Sequence, residues 1–197
     1  MRLSARLCVP ALALALSAPA LALTTVYTTT LSGAAESPPN ASLGTGTATV
    51  TIDDVAKTFR LQTSFSGLTG NVTNAHIHCC TGTANTGTAI PATRTPTLLG
   101  FPAGLTHGVF DQTYDMTLAG SWNAAFVTAQ GGTTAQAFTA FVSGLDAGKA
   151  YLNIHSTSFS GGEIRGFLAP VPEPASMALM LGGLGLLVWT TRRRALI

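Results

Sequence analysis

The chain predicts a mainly β protein, an antiparallel Greek-key β-sandwich with one or two short inserted helices. Three observations carry this. Apolar residues alternate with polar ones in several short segments, the period of a half-buried strand. Charged residues make up only 9% of the chain while threonines are many, and threonine is β-branched and suits a pleated surface. Tyr151 to Leu168 reads as two strands joined by the turn cluster Ser160-Gly161-Gly162. An N-terminal signal peptide and a C-terminal transmembrane helix are expected outside this domain.

Thr24 to Leu31 is the expected first strand, broken by Glu36-Ser37-Pro38-Pro39-Asn40. Gly46 to Asp53 turns Ala48, Val50 and Ile52 inward. Lys57 to Phe65 turns Phe59, Leu61, Thr63 and Phe65 inward and Arg60, Gln62 and Ser64 outward. Asp53 to Ala56 joins the two as a hairpin. Val72 to His78 is the next strand, with Ala75 and Ile77 on one face and Asn74, His76 and His78 on the other.

Thr81 to Thr97, rich in Thr, Gly, Ala and Pro, reads as a long surface loop. Leu98 to Phe110 continues irregularly and contains His107. A strand is expected over Gln112 to Leu118. Ser121 to Gln130 predicts a helix capped by Ser121, with Trp122, Phe126 and Ala129 on one face and Gly131 as its stop. Thr134 to Val142 predicts a second helix, with Ala135, Phe138 and Val142 at helical spacing and Gly144 past its end; a strand is the alternative. Two strands follow: Leu152 and Ile154 alternate with Tyr151, Asn153 and His155, then Ile164 and Leu168 with Glu163 and Arg165.

Two segments echo each other. Ser66-Gly67-Leu68 precedes Asn74 to His78 at the same distance at which Ser143-Gly144-Leu145 precedes Tyr151 to His155. The echo suggests two similar strands, each ending in a histidine.

His76 and His78 lie two apart on a strand, so both imidazoles project to one side. That allows two ligands to one metal, copper or zinc, with His155 as a third if its strand is a neighbour. The competing reading is a polar strand face, bonded to loop backbone and to Glu163 or Arg165. Cys79 and Cys80 are adjacent. A disulfide, within the chain or between chains, a thiolate pair binding a soft metal beside His76 and His78, and a reduced pair all remain open. No Ser-His-Asp or Cys-His arrangement can be argued, Gly-x-Ser-x-Gly is absent, and the Gly-Thr repeats lack the Gly-Lys-Ser/Thr of a phosphate loop. Catalytic residues and organic cofactors are therefore not expected.

The ends of the chain carry their own signals. Arg2 and Arg6, the apolar run Leu7 to Leu16 and the small residues through Ala22 have the three parts of a secretory signal peptide, residues 1–22. Signal peptidase would remove Cys8 with it. At the other end Pro172-Glu173-Pro174 forms a stiff, non-helical spacer. Ala175 to Thr191 follows without a charge. As helix it would reach about 25 Å, slightly short of a hydrocarbon core. Arg192, Arg193 and Arg194 would stay cytoplasmic. From Leu23 to Val171 five bases stand against seven acids, a net charge of −2. A nucleic-acid partner needs clustered cations, and this stretch has none.

These residues support two resemblances. Asn74-Ala-His-Ile-His78, Tyr151-Leu-Asn-Ile-His155 and Gly161-Gly-Glu-Ile-Arg-Gly166 resemble the CHRD domain, named for repeats in chordin, over residues 23–170. Pro-Glu-Pro, apolar helix and arginine cluster, residues 171–197, resemble the PEP-CTERM sorting signal of Gram-negative bacteria. The second resemblance implies an exosortase that cuts near Pro-Glu-Pro. It also implies a transient tether in the inner membrane and delivery to the cell surface or exopolysaccharide matrix. CHRD domains have been likened to the copper/zinc superoxide dismutase sandwich, which also carries a His-x-His on a strand. Four histidines are too few for that enzyme's two-metal site, and no aspartate-containing zinc loop is recognisable.

The expected function is thus an exported, non-catalytic binding or structural module. Its partners would be signal peptidase, exosortase and extracellular polysaccharide or surface proteins. The alternative is a mononuclear copper- or zinc-binding envelope protein with a superoxide-dismutase-like site.

Overall fold

In the computed structural model, residues 24–172 and 183–184 are described. The signal peptide, Glu173, Pro174, the body of the apolar tail and Arg192 to Arg194 lie outside them. Among the described residues no helix is long and apolar enough to cross a membrane.

The domain is a curled antiparallel sheet. β1 (Thr24–Ser32), β2 (Thr45–Asp53), β3 (Thr58–Ser66) and β5 (Gly108–Asp115) form one half. β4 (Val72–His78), β6 (Tyr151–Ser156) and β7 (Ile164–Phe167) form the other, in the overall order β4-β6-β7-β1-β2-β3-β5. The halves join narrowly, through Ser32 opposite Arg165. A last short strand, β8 (Ala169–Pro170), pairs with β1 at Tyr27 and Thr28. The chain crosses from one half to the other after β3, β4 and β5 and returns after β7, and both halves feed one apolar core. That core takes Val50, Leu61 and Tyr27 from one side and Ala75, Ile77, Leu152 and Ile154 from the other. This is the sandwich, with its two layers hydrogen-bonded at one edge.

The β2–β3 hairpin follows the alternation residue by residue, from Thr45 opposite Ser66 to Asp53 opposite Thr58. Asp53 accepts from the backbone N–H of Val55 and Ala56 and closes the turn. β5 begins earlier and ends earlier than the sequence implies. Val109 and Phe110 pair with Ser64 and Thr63, and the strand stops where Asp115 bonds Thr117 and turns the chain.

The helices also differ in detail. The first, α1 (Ala124–Ala129), is capped by Asn123, whose side chain accepts from Ala125 N–H. Ser121 belongs to the 3-10 turn before it, and Ala129 is exposed. The second, α2 (Thr134–Asp146), is a helix with Thr133 as cap, and it runs through Gly144. Its buried face is Ala137, Phe138, Phe141 and Leu145, while Ala135 is exposed and Val142 only half-buried. Gly144 leaves space where a Cβ would run into the sulfurs of Cys79 and Cys80.

The echoed segments do not share a fold throughout. Ser66-Gly67 closes a strand, whereas Ser143 to Leu145 lies inside α2. Only their strands correspond, and those two strands are hydrogen-bonded neighbours.

Candidate functional site

β4 and β6 bury both faces. One face is the apolar core. The other is polar, and its rows follow from the register: Asn74 opposite His155, His76 opposite Asn153, and His78 opposite Tyr151. β7 extends the rows, with Arg165 opposite Asn153 and Phe167 opposite Tyr151. Alternation then sets His76, His78 and His155 on one surface, as the sequence implies. Their ring centroids lie 5.3 to 6.1 Å apart.

Burial of this face comes from the segment after β4. Thr81 to Thr97 is a loop, but it does not lie free on the surface. Ile77 O accepts from the N–H groups of Ala92 and Thr93, both buried, and Ile77 N–H donates to the Thr93 hydroxyl. The loop lays its carbonyls over the imidazoles. His76 Nε2 donates to Pro96 O at 2.5 Å and His78 Nδ1 to Ala89 O at 2.8 Å. His155 Nδ1 donates to Ser160 O at 2.9 Å, in the turn between β6 and β7. All three rings are buried, with 5%, 8% and 9% of their surface exposed.

Each ring thus has one nitrogen fixed as a donor. A neutral imidazole has its lone pair on the other nitrogen. Those nitrogens are His76 Nδ1, His78 Nε2 and His155 Nε2. They are buried and have no hydrogen-bond partner among the described residues, and one ring nitrogen from each histidine lies within 4.8 Å of the other two. An orphaned buried acceptor costs about 1–3 kcal/mol. Three at one point are a large charge against the roughly 5–15 kcal/mol that stabilises a domain.

Electrostatics keep the rings neutral. Burial pushes His78 down to about 4, against the bond to Ala89, with the other imidazoles and Arg165 adding to the shift. Burial likewise lowers His76, where the Pro96 carbonyl opposes it and His155 assists, and it lowers His155 against Ser160. Among the described residues, none of the three rings bonds a Ser, Thr or Cys side chain. The cluster can accept a cation. It is not arranged to activate a hydroxyl or thiol.

Glu163 and Arg165 do not bond the histidines, contrary to the polar-face reading; loop carbonyls do that alone. Arg165 lies over the Tyr151 ring, 4.8 Å from its centroid, and donates to Ala35 O and Gly87 O. Its ionic partner is Glu36, at 3.9 Å. Glu36 reads from sequence only as part of a strand break. Burial raises its carboxyl to about 7, with Arg165 pulling the other way. Glu163 turns elsewhere, to Ser42, Thr69 and Gly70. His107 lies outside the cluster, beside an open groove on the β1–β2–β3–β5 half.

Cys79 and Cys80 are joined through their sulfurs. They pack on Gly144 of α2, and Cys79 belongs to the apolar core. A thiolate pair sharing a metal with His76 and His78 is therefore not what the structure holds. The residues that sequence reading missed are Glu36 and the carbonyls of Ala89 and Pro96. The carbonyls leave no signal in side-chain chemistry.

Fold and site together define a mainly β module with a buried, neutral three-imidazole cluster. Comparison with protein families matches a CHRD domain over residues 27–168 and a PEP-CTERM protein-sorting motif over residues 170–194. The first match spans more than half of the chain, and the chain belongs to the CHRD family. The second makes it an exosortase-targeted protein, exported to the cell envelope or surface of a Gram-negative bacterium. No curated protein and no solved structure matches the chain.

Proposed function

We propose that the chain is a non-catalytic surface module. Signal peptidase frees its N-terminus after Ala22. Exosortase then cuts near Pro172, Glu173 and Pro174, and the domain passes to the cell surface or exopolysaccharide matrix as a binding or structural element. The uncharged apolar segment from Ala175 to Thr191 tethers it in the inner membrane until that cut.

One observation carries this reading. The CHRD match ends at residue 168, the sorting motif starts at residue 170, and the last contacts of the fold, at residues 169–171, all lie before Pro-Glu-Pro. β8 pairs with β1, and the last backbone bond runs from Val171 N–H to Val26 O at 2.8 Å. A cut within Pro-Glu-Pro removes none of these contacts. The outer face supports a neutral partner. Thr30, Thr47 and Ser64 border a groove of about 800 Å³ together with Leu31, Phe65 and Val109; it holds no lysine or arginine, which a phosphate polymer would need.

Fractionating cells with and without a working exosortase tests the reading. The protein should reach the surface or medium in the first and stay with the inner membrane in the second. Equal release from both overturns it.

A further inference from the structure

We propose that His76 Nδ1, His78 Nε2 and His155 Nε2 together bind one borderline divalent transition-metal ion, copper(II) in preference to zinc(II). This is independent of how the chain is sorted.

The argument is one of matching. One nitrogen from each ring lies within 4.8 Å of the other two, and His76 Nδ1, His78 Nε2 and His155 Nε2 are buried with no partner among the described residues. A water has two O–H bonds and can satisfy two of them. A proton shared between rings also reaches two at most, and it would place a charge where burial opposes it. A metal cation accepts all three. The opposite nitrogens donate to Pro96, Ala89 and Ser160, which fixes tautomer and ring orientation in the manner of outer partners of metal-bound histidines.

The donor set selects the ion. Neutral imidazole nitrogens are borderline ligands, suited to copper and zinc rather than to magnesium or calcium. No thiolate joins them, because both sulfurs are bonded to each other. At a fixed nitrogen set copper(II) binds more tightly than zinc(II). Asn74 Oδ1 and Asn153 Oδ1 are buried, unpaired acceptors on the same polar face. They leave a neutral oxygen or a water as the remaining ligand, not a carboxylate.

The test uses the exported protein, stripped with chelator and titrated with copper(II) alone or zinc(II) alone. Elemental analysis after desalting should give one ion per chain, copper displacing zinc. X-ray absorption on the loaded wild type should count three imidazoles at about 2.0–2.1 Å. His78→Gln and His155→Gln should each weaken binding by about a hundredfold or more, beyond the loss typical of outer partners. His107→Gln should bind as the wild type does. Failure of the stripped wild type to bind either ion at micromolar concentration overturns the site. So does a first shell with fewer than three imidazoles, a count that needs no variant to fold.

Discussion

His76 and His155 stand 5.3 Å apart, ring centre to ring centre, and neither bonds the other. They sit on paired strands, and each ring is turned by a backbone carbonyl from a different loop. The strands supply the approach, and the loops supply the orientation. Moving a loop should therefore disturb the rings without disturbing the sheet. Thr93→Val removes the hydroxyl that accepts from Ile77 N–H at 3.0 Å. It should cost about 1–3 kcal/mol, the price of an unpaired buried group, read from denaturant unfolding.

Phe141 anchors α2 in the core. It meets Phe59 and Trp122 edge-on, at 5.8 and 5.7 Å. Phe141→Ala should cost about 3–5 kcal/mol, transfer and cavity together. A loss below about 1 kcal/mol would mean that α2 packs elsewhere.

Gly144→Ala should reverse the usual helix rule. In an open helix alanine gains about 1 kcal/mol over glycine. Here the added methyl runs into the sulfurs of Cys79 and Cys80. The melting temperature should fall. A rise would show that the cysteines do not lie against the helix.

Glu163 gives the fold an acid-sensitive joint. Burial opposes its ionisation, but bonds from Ser156, Ser42, Thr69 and Gly70 outweigh it and hold the carboxyl below the ordinary range. The folded state thus binds this proton less tightly than the unfolded chain does. The stabilisation is full above the unfolded value of about 4.3 and is lost as pH falls through the folded one. Glu163→Gln should be less stable than wild type near pH 7, and the two should converge in acid. A gap that widens in acid would contradict this assignment.

Much of this architecture is legible in the sequence because it is local. The hairpin of β2 and β3 follows from alternation alone, and so does the common face of His76 and His78. What is not legible depends on contacts distant in the chain. Gly144 reads as a helix stop until the cysteine sulfurs are seen against it. Glu36 reads as a turn residue until Arg165 reaches it across the sheet. Thr81 to Thr97 has a surface loop's composition, and only its backbone carbonyls, which composition does not encode, make it the cover of the histidine face. Asn123 takes the cap from Ser121 because Trp122 is buried between them, its Nε1 donating to Met116 O at 2.8 Å.

The account's central claim is that a complete β-module is cut free from its sorting tail. Mass spectrometry of the protein recovered from the cell surface addresses it most directly. The predicted chain begins after Ala22 and ends between Pro172 and Pro174. A surface population still carrying Arg192, Arg193 and Arg194 would contradict it.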